Sequence, residues 1–501
     1  MSEHRSVWLA TAEHTTHPPL AGDTDVDVAV VGGGITGLTT ALLLQRDGAR
    51  VALIEARQVG VGTTGGTTGK VTSQHQLTYH DLIEHRGEDI ARGYADANQQ
   101  AIELVAALAE LTEADCDLIR APAYVYAERP EERAAIEAEH AAAVRLGLPA
   151  HLTGDIDLPV PVEVALRFDH QAHVHATRYT EALARAIVAG GGTVVERTRA
   201  LGVEEHHDHA VVVTEHGRVR AEQVVVATLL PFVDRGGFFA KSRPKRAYGI
   251  ALRLRGPAPE GMHINVGSPT RSTRPWTDDG RPGMVVVGET LPTGEGEHSP
   301  ARWGALERWA GEHLDVESFA YRWSAQDYTT PDQVPYVGRS PRMSRTFVAT
   351  GMRKWGLTNG TAAAEVLTAL VRGREHRWQE VFDATRIGDI ESITELAADN
   401  IHVARRFVAD HIGRLRADAV GDLEPGEGAV VDADGDTVGA YRDPSGAVHA
   451  VSLTCTHLGC TVAFNSAERS WDCPCHGSRF ATDGSVLEGP AVHPLDRFET
   501  D

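Results

Sequence analysis

The chain has 501 residues, 42% of them hydrophobic and 50 of them glycine, a globular composition that excludes a disordered, collagen-like or coiled-coil protein. A net charge of −22, from 48 Lys+Arg against 70 Asp+Glu, makes nucleic acid and anionic lipid poor partners. No stretch approaches the ~18 consecutive apolar residues of a membrane span, and the N-terminus has neither an apolar leader nor a twin-Arg pair, so the expectation is a cytoplasmic protein with no membrane span.

Residues 25–31 form a Val-rich run of strand length that ends in Gly32-x-Gly34-x-x-Gly37. Residues 38–44 read as a buried helix closed by Gly48, and 50–54 as a second buried strand ending at Glu55. This strand–helix–strand context suits a dinucleotide. Gly32 permits the tight turn, Gly34 lets the backbone approach a pyrophosphate, and Gly37 lets helix and strand pack closely, with the helix N-terminus facing the negative charge. Glu55, 18 residues past Gly37, stands where a carboxylate accepts from ribose hydroxyls. Gly60-x-Gly62-x-x-Gly65 repeats the spacing with no helix directly after it, and reads as a loop over the cofactor that brings Thr63 and Thr64 to it.

Further along, residues 79–145 read as helical and Ala/Glu-rich, and 180–189 as a helix before Gly190-Gly191-Gly192. Strands are expected over 193–196, 210–214 and 223–228, with 244–254 and 283–288 in a separate sheet. His206, His207 and His209 read as a solvated turn; His170, His173 and His175 as polar surface or cofactor-edge packing; Cys116 as a small buried residue. A strand over 346–349 leads to Gly351, and 357–371 has helical spacing. Linking helices over 391–415 precede a turn-rich region of short β runs, so a domain boundary is expected near residue 420.

Four of the five cysteines fall within 21 residues near the C-terminus. Cys455-x-His457 and Cys473-x-x-His476, with 15 residues between the boxes, make a two-Cys, two-His set that could hold zinc or a 2Fe–2S cluster. Cys460 and Cys475 would be surplus around zinc. With them, residues from about 420 to 501 resemble the Rieske proteins of cytochrome bc complexes, including Gly489-Pro490-Ala491, which looks like that family's proline loop. The resemblance implies Cys455 and Cys473 on one iron, His457 and His476 on the other, and a Cys460–Cys475 disulfide tying the loops. High-potential Rieske proteins carry Ser and Tyr hydrogen-bonded to cluster and ligand sulfur. This chain keeps Ser478 but has Phe480, so a potential below the high end of the roughly −150 to +300 mV range is expected.

The glycine fingerprint alone does not choose between nicotinamide and flavin. The segments 222–228, 329–338 and Gly351-Met352-Arg353-Lys354-Trp355-Gly356-Leu357-Thr358 do, because with the fingerprint and Glu55 they resemble the D-amino-acid oxidase/glycine oxidase superfamily of FAD-dependent amine and amino-acid dehydrogenases. The resemblance places Gly351, Gly356, Leu357 and Thr358 at the flavin, where the last helix N-terminus faces the ring and favours its reduced anion. Where that family commonly has Gly-His-Gly-Gly, this chain has bulky side chains. It also implies that Lys245, Arg246 and Tyr248 lie on a strand crossing the substrate pocket, with Arg246 pairing a carboxylate beside Tyr248. Lys70 and His75 are expected to face the flavin or substrate, and Tyr328 and Trp355 to wall the pocket.

The fold expected is therefore an α/β Rossmann-type FAD-binding domain with a mixed α+β substrate domain over 24–390, then a small all-β Rieske domain. FAD-binding parts are placed at about 24–80, 160–240 and 335–375, substrate-binding parts at 81–159 and 241–334, a helical linker at 391–420, and the Rieske domain at 421–501. The function expected is oxidation of an amine or amino acid by hydride transfer to FAD. Electrons would then pass singly through the cluster to a cytochrome, ferredoxin or quinone. Two alternatives are a reductive flavin enzyme fed through the cluster and a non-catalytic redox module.

Overall fold

Val28, Ala29, Val30 and Val31 are all buried, and they alternate between two cores. Val28 and Val30 join one hydrophobic cluster, Ala29 and Val31 the other, as the two-residue period of a strand covered on both faces requires. Their strand, Thr24–Val31, is central to a sheet in the order Tyr336–Arg339, Thr346–Thr350, Gly217–Val226, Thr24–Val31, Val51–Ile54 and Thr193–Val195. All neighbours in this series are parallel except the first pair. The helices Ile35–Arg46 and Gly356–Val371 cover one face, both rich in buried Ala, Leu and Thr. The computed structural model describes residues 3–278, 280–386, 420–433 and 436–498, so the linker expected over 391–420 lies almost wholly outside the described residues.

A second sheet has ten strands, with Val316–Thr329, Arg243–Leu254, Arg281–Pro292 and Arg271–Asp278 as consecutive antiparallel neighbours. On Arg243–Leu254, residues Tyr248, Ile250, Leu252 and Leu254 enter a core with Trp303 and Leu306 of the helix Ala301–His313. The alternate positions Arg243, Lys245, Ala247 and Gly249 line a cavity on the other face.

Two expectations differ from this topology. The stretch 79–145 contains helices Tyr79–Arg86, Glu88–Leu111 and Arg133–Arg145, but Ile119–Ala127 between them is a strand of the ten-stranded sheet. Its Ala-rich sequence hides a Tyr124-Val125-Tyr126 β core, and Pro122 sits where the register shifts between Ala121 and Ala123. Val164–His173, which the sequence assigned with the FAD-binding parts, pairs instead with Ile119–Ala127 in that same sheet.

Residues beyond 427 form two four-stranded antiparallel sheets. Trp471, Phe464, Tyr441 and Phe480 fill the core beside Cys455 and Cys473. The two cysteine–histidine loops follow Val448–Ser452 and Ser470–Asp472. Among the described residues no helix is long and apolar enough to cross a membrane.

Candidate active site and metal centre

The first loop is built so that only glycine fits. Gly32 has φ +111°, and a Cβ there would lie 2.5 Å from the Ala227 carbonyl oxygen. At Gly37 a Cβ would lie 1.9 Å from the Gly32 carbonyl oxygen. The helix Ile35–Arg46 thus starts hard against the strand, with Gly34 supplying no capping side chain. Gly32, Gly34 and Glu55 line an open groove, and Glu55 is aimed along it by N–H donors from Gly33 at 2.7 Å and Arg57 at 2.8 Å. The loop after Gly60 closes over the groove: Thr63 and Thr64 line it, the Thr64 hydroxyl accepting from Ile35 N–H and the Thr63 hydroxyl donating to the Gln326 carbonyl.

The groove runs into a cavity of about 780 Å³, and Ile35, Thr63, Thr64, Asp327 and Gly356 line both. Gly356 and Leu357 open the helix Gly356–Val371 at this junction, where no side chain caps its N-terminus. Gly351 lies just before, at φ +80°, with a Cβ excluded by Thr330 at 2.4 Å. Thr358 faces inward and donates to the Thr72 carbonyl at 3.0 Å. A glycine cradle, an acid at the strand tip and an uncapped helix start at the wide end together fit a long dinucleotide with a reactive ring at the cavity.

The cavity is cationic. Arg243, Lys245, Arg353 and Lys354 line it, against the single acid Asp327. Burial and then the neighbouring Arg243 and Arg353 depress Lys245. Lys354 falls to about 8 through burial and then Lys245, and it donates to the Thr290 hydroxyl at 2.7 Å. Burial raises Asp327 to about 6, against the pull of N–H donors from Lys354 and Tyr328.

Several expected site residues lie elsewhere. Arg246 points away from the cavity, because it sits one position out of phase with Lys245 on a two-residue repeat. Its side chain is 0% exposed and meets Ser324 at 2.6 Å, Glu488 at 3.4 Å and Asp472 at 3.9 Å. Tyr248 shares that face, bonded to His298 at 2.7 Å and set edge-on to Trp303. Lys70 is buried, donating to the His263 carbonyl and the Ser272 hydroxyl, both at 2.8 Å. Ser272, not Lys70, reaches the cavity.

His75 is fully buried and spent on Tyr94, Thr72 and Thr358; burial, then Arg353, pushes it down to about 3. It stacks on Trp355 at 4.8 Å, and Trp355 does line the cavity. Tyr328 is buried outside the cavity lining. His206 and His209 stack on each other at a hairpin turn, His175 caps the helix Ala176–Ala189, and Cys116 is buried.

In the C-terminal domain Cys460 and Cys475 are disulfide-bonded, while Cys455 and Cys473 are free and buried. The sulfurs of Cys460, Cys473 and Cys475 crowd within 4.8 Å, but the disulfide pair offers no thiolate. Cys455 and Cys473 are in hydrogen-bond contact, which lowers Cys455 and raises Cys473, and Ser478 and the N–H groups of His457 and Leu458 also hold Cys455 down. His457 and His476 stand perpendicular with ring centroids 5.1 Å apart, and among the described residues the buried Nδ1 of His457 has no partner. Two buried thiols in contact, two imidazoles and an orphaned ring nitrogen fit a two-Cys, two-His iron–sulfur cluster.

Sequence reasoning missed what surrounds these histidines. Both rings meet the edge of Phe239, at 6.0 and 4.9 Å. Tyr328 Oη donates to the His476 carbonyl at 2.7 Å and Gln326 Nε2 to the Gly477 carbonyl at 2.8 Å. Between them Asp327 faces the groove and the cavity. The signal was present only as an unremarkable Gln-Asp-Tyr at the end of a long strand.

A family model described as FAD-dependent oxidoreductase matches residues 27–370, and a Rieske 2Fe-2S domain model matches residues 414–499. A Bacillus subtilis protein described as a Rieske 2Fe-2S iron-sulfur protein, YhfW, is 36% identical over 498 residues, covering 99% of this chain and 97% of its own. The gamma-glutamylputrescine oxidoreductase of Escherichia coli is 29% identical over 236 residues, 45% of this chain and 55% of its own. Among solved structures, glycine oxidase from Geobacillus kaustophilus superposes with a TM-score of 0.61 at 20% identity, covering 72% of this chain and 99% of that one. The FAD groove, the cavity at its wide end and the cysteine–histidine loops beside them thus coincide with the matched regions, and the chain belongs to the FAD-dependent oxidoreductase family, an enzyme that binds FAD and carries a Rieske 2Fe–2S cluster in its C-terminal domain.

Proposed function

We propose that this protein oxidises an amine-bearing substrate, an amino acid by preference, and hands the electrons through its own Rieske domain to an external one-electron carrier. The observation that carries this reading is the segment Gln326-Asp327-Tyr328. Its middle residue lines both the FAD groove and the cationic cavity, while its two neighbours bond to the backbone of the cluster loop. When bound, FAD supplies acceptance of a hydride, and the cluster supplies one-electron steps.

The residues divide the work. Lys245 and Lys354 present ammonium groups to a substrate carboxylate, with Arg243 and Arg353 adding to the positive field. Trp355, held by its stack on His75, gives an apolar wall for the substrate body. Asp327, raised to about 6, is ionised at neutral pH and sets a negative charge where a protonated amine enters. The amine must shed a proton before hydride leaves its carbon, so turnover rises with pH through the bound amine's pKa.

The test is an anaerobic panel of amino acids, decarboxylated amines and non-amine hydroxy acids mixed with the oxidised holoprotein, read as loss of flavin absorbance. Amino acids should bleach the flavin faster than the matching amines, and hydroxy acids should not bleach it. A panel in which no amine or amino acid bleaches the flavin, while chemically reduced cluster passes electrons to FAD, would establish the reverse, reductive flow.

A further inference from the structure

The FAD groove is not closed by the FAD-binding sheet alone. Leu487, Glu488, Gly489, Ala491 and Val492, all from the C-terminal domain, line it together with the Gly32–Gly34 turn and Glu55. This loop is fastened at several points. Arg199, itself a groove residue, donates from Nη2 to the Val486 carbonyl at 2.9 Å. Glu488 meets Arg246 at 3.4 Å and Arg479 at 3.1 Å. The Ala491 N–H donates to Ser478 Oγ at 3.0 Å, and Ser478 in turn bonds Cys455. One short segment therefore touches the dinucleotide groove on one side and reaches a cluster ligand through a single hydroxyl on the other.

We propose that the 486–492 loop of the Rieske domain is one wall of the FAD-binding site, so that flavin is held tightly only while that domain is docked. Of the lining side chains, Leu487, Ala491 and Val492 are apolar, while the Glu488 carboxylate is taken up by Arg246 and Arg479. The apolar three contribute contact area and exclusion of water rather than charge pairing, while the Gly32–Gly37 turn receives the pyrophosphate. The loop's anchors make the wall rigid, so flavin retention becomes a property of two domains rather than one. The proposal needs only FAD binding, and stands whether or not the substrate is an amine.

Full-length protein is stripped of FAD with its cluster retained, as checked by the Rieske EPR signal. FAD is then titrated back and followed by quenching of its fluorescence, with no substrate present. Val492→Trp, which fills the groove from the C-terminal domain, should weaken FAD binding by at least ~10-fold with the EPR signal unchanged. Leu487→Ala, which only removes apolar contact, should weaken it by ~3–10-fold. If Val492→Trp does not fold, Leu487→Ala carries the test alone. Wild-type FAD affinity in Leu487→Ala, or in a folded Val492→Trp, overturns the proposal.

Discussion

Lys245 and Arg246 are adjacent in sequence and opposite in role. Among the described residues the Lys245 ammonium meets no carboxylate and no hydrogen-bond acceptor, and it faces a cavity already crowded with cations. An uncompensated charge of that kind awaits an anion. Lys245→Met should raise KM for a carboxylate-bearing substrate by ~10–100-fold with a smaller change in kcat, as expected for a lost charged hydrogen bond of about 1.5–3 kcal/mol. Equal KM values in variant and parent would remove the carboxylate from the account. Lys354 titrates near 8, so it is charged below that pH and loses its charge above it. KM for the same substrate should therefore climb above about pH 8, and Lys354→Gln should flatten that limb in a pH series. The motif in sequence pointed to Arg246 because a strand's two faces are separated by one residue, and nothing local says which is inward. By contrast the strand–helix–strand setting of Gly32, Gly37 and Glu55 was legible, since its geometry is fixed by neighbours within one unit.

At the level of elements, the strand Val316–Thr329 joins the two halves of the chemistry, because its end carries Gln326, Asp327 and Tyr328. The cluster loop meets it at Gly477, where φ is +75° and a Cβ would lie 2.6 Å from Tyr328 Oη and 2.7 Å from Gln326 Nε2. Gly477→Ala combines left-handed strain with overpacking. It should cost about 2–4 kcal/mol of stability in thermal or denaturant unfolding, whereas Gly446→Ala, at φ +93° with nothing within 4 Å, should cost only the strain. Within the cluster domain, Phe480 is fully buried beside Cys455 and Cys473. Phe480→Tyr should raise the cluster potential by on the order of 50 mV, one hydrogen bond's worth for a one-electron couple. A redox titration giving an unchanged or lower potential would sever the link between that residue and the cluster. The two cysteine–histidine boxes were readable as a metal set from their spacing, because each is a single tight loop, but the choice of iron–sulfur over zinc needed the surplus Cys460 and Cys475 and the family resemblance. The strand Ile119–Ala127 was not, because its partners Val164–His173 and Met262–Asn265 lie far along the chain.

Over the whole molecule, the hydrogen bonds between the two domains are joined by a buried ionic contact of Arg246 with Asp472 and Glu488, which Arg479 also holds. Burial would raise Asp472, but Arg479 and Arg246 hold it well below the usual carboxylate range. A depressed folded-state pKa means that this contribution is present above the unfolded value near 3.9 and is lost as pH falls below it. Arg246→Met leaves buried carboxylates short of a partner and should cost about 3–5 kcal/mol in unfolding experiments. Removing this arginine should also loosen the cluster from the flavin side, although Arg246 touches neither cavity. No pattern in the sequence announces such a contact. Arg246 and Asp472 are 226 positions apart, and the sequence pointed Arg246 at a substrate carboxylate rather than at this one.

In the proposed function, flavin and cluster exchange electrons inside one chain. This is tested most directly by anaerobic stopped-flow mixing of the oxidised holoprotein with a reducing amino acid, following flavin bleaching optically and the Rieske signal by rapid-freeze EPR at several protein concentrations. The reduced-cluster signal should follow flavin bleaching at a rate independent of protein concentration, and Gly477→Ala should slow it without slowing the bleaching. A cluster that stays oxidised while the flavin bleaches, or one reduced at a rate proportional to protein concentration, would contradict it.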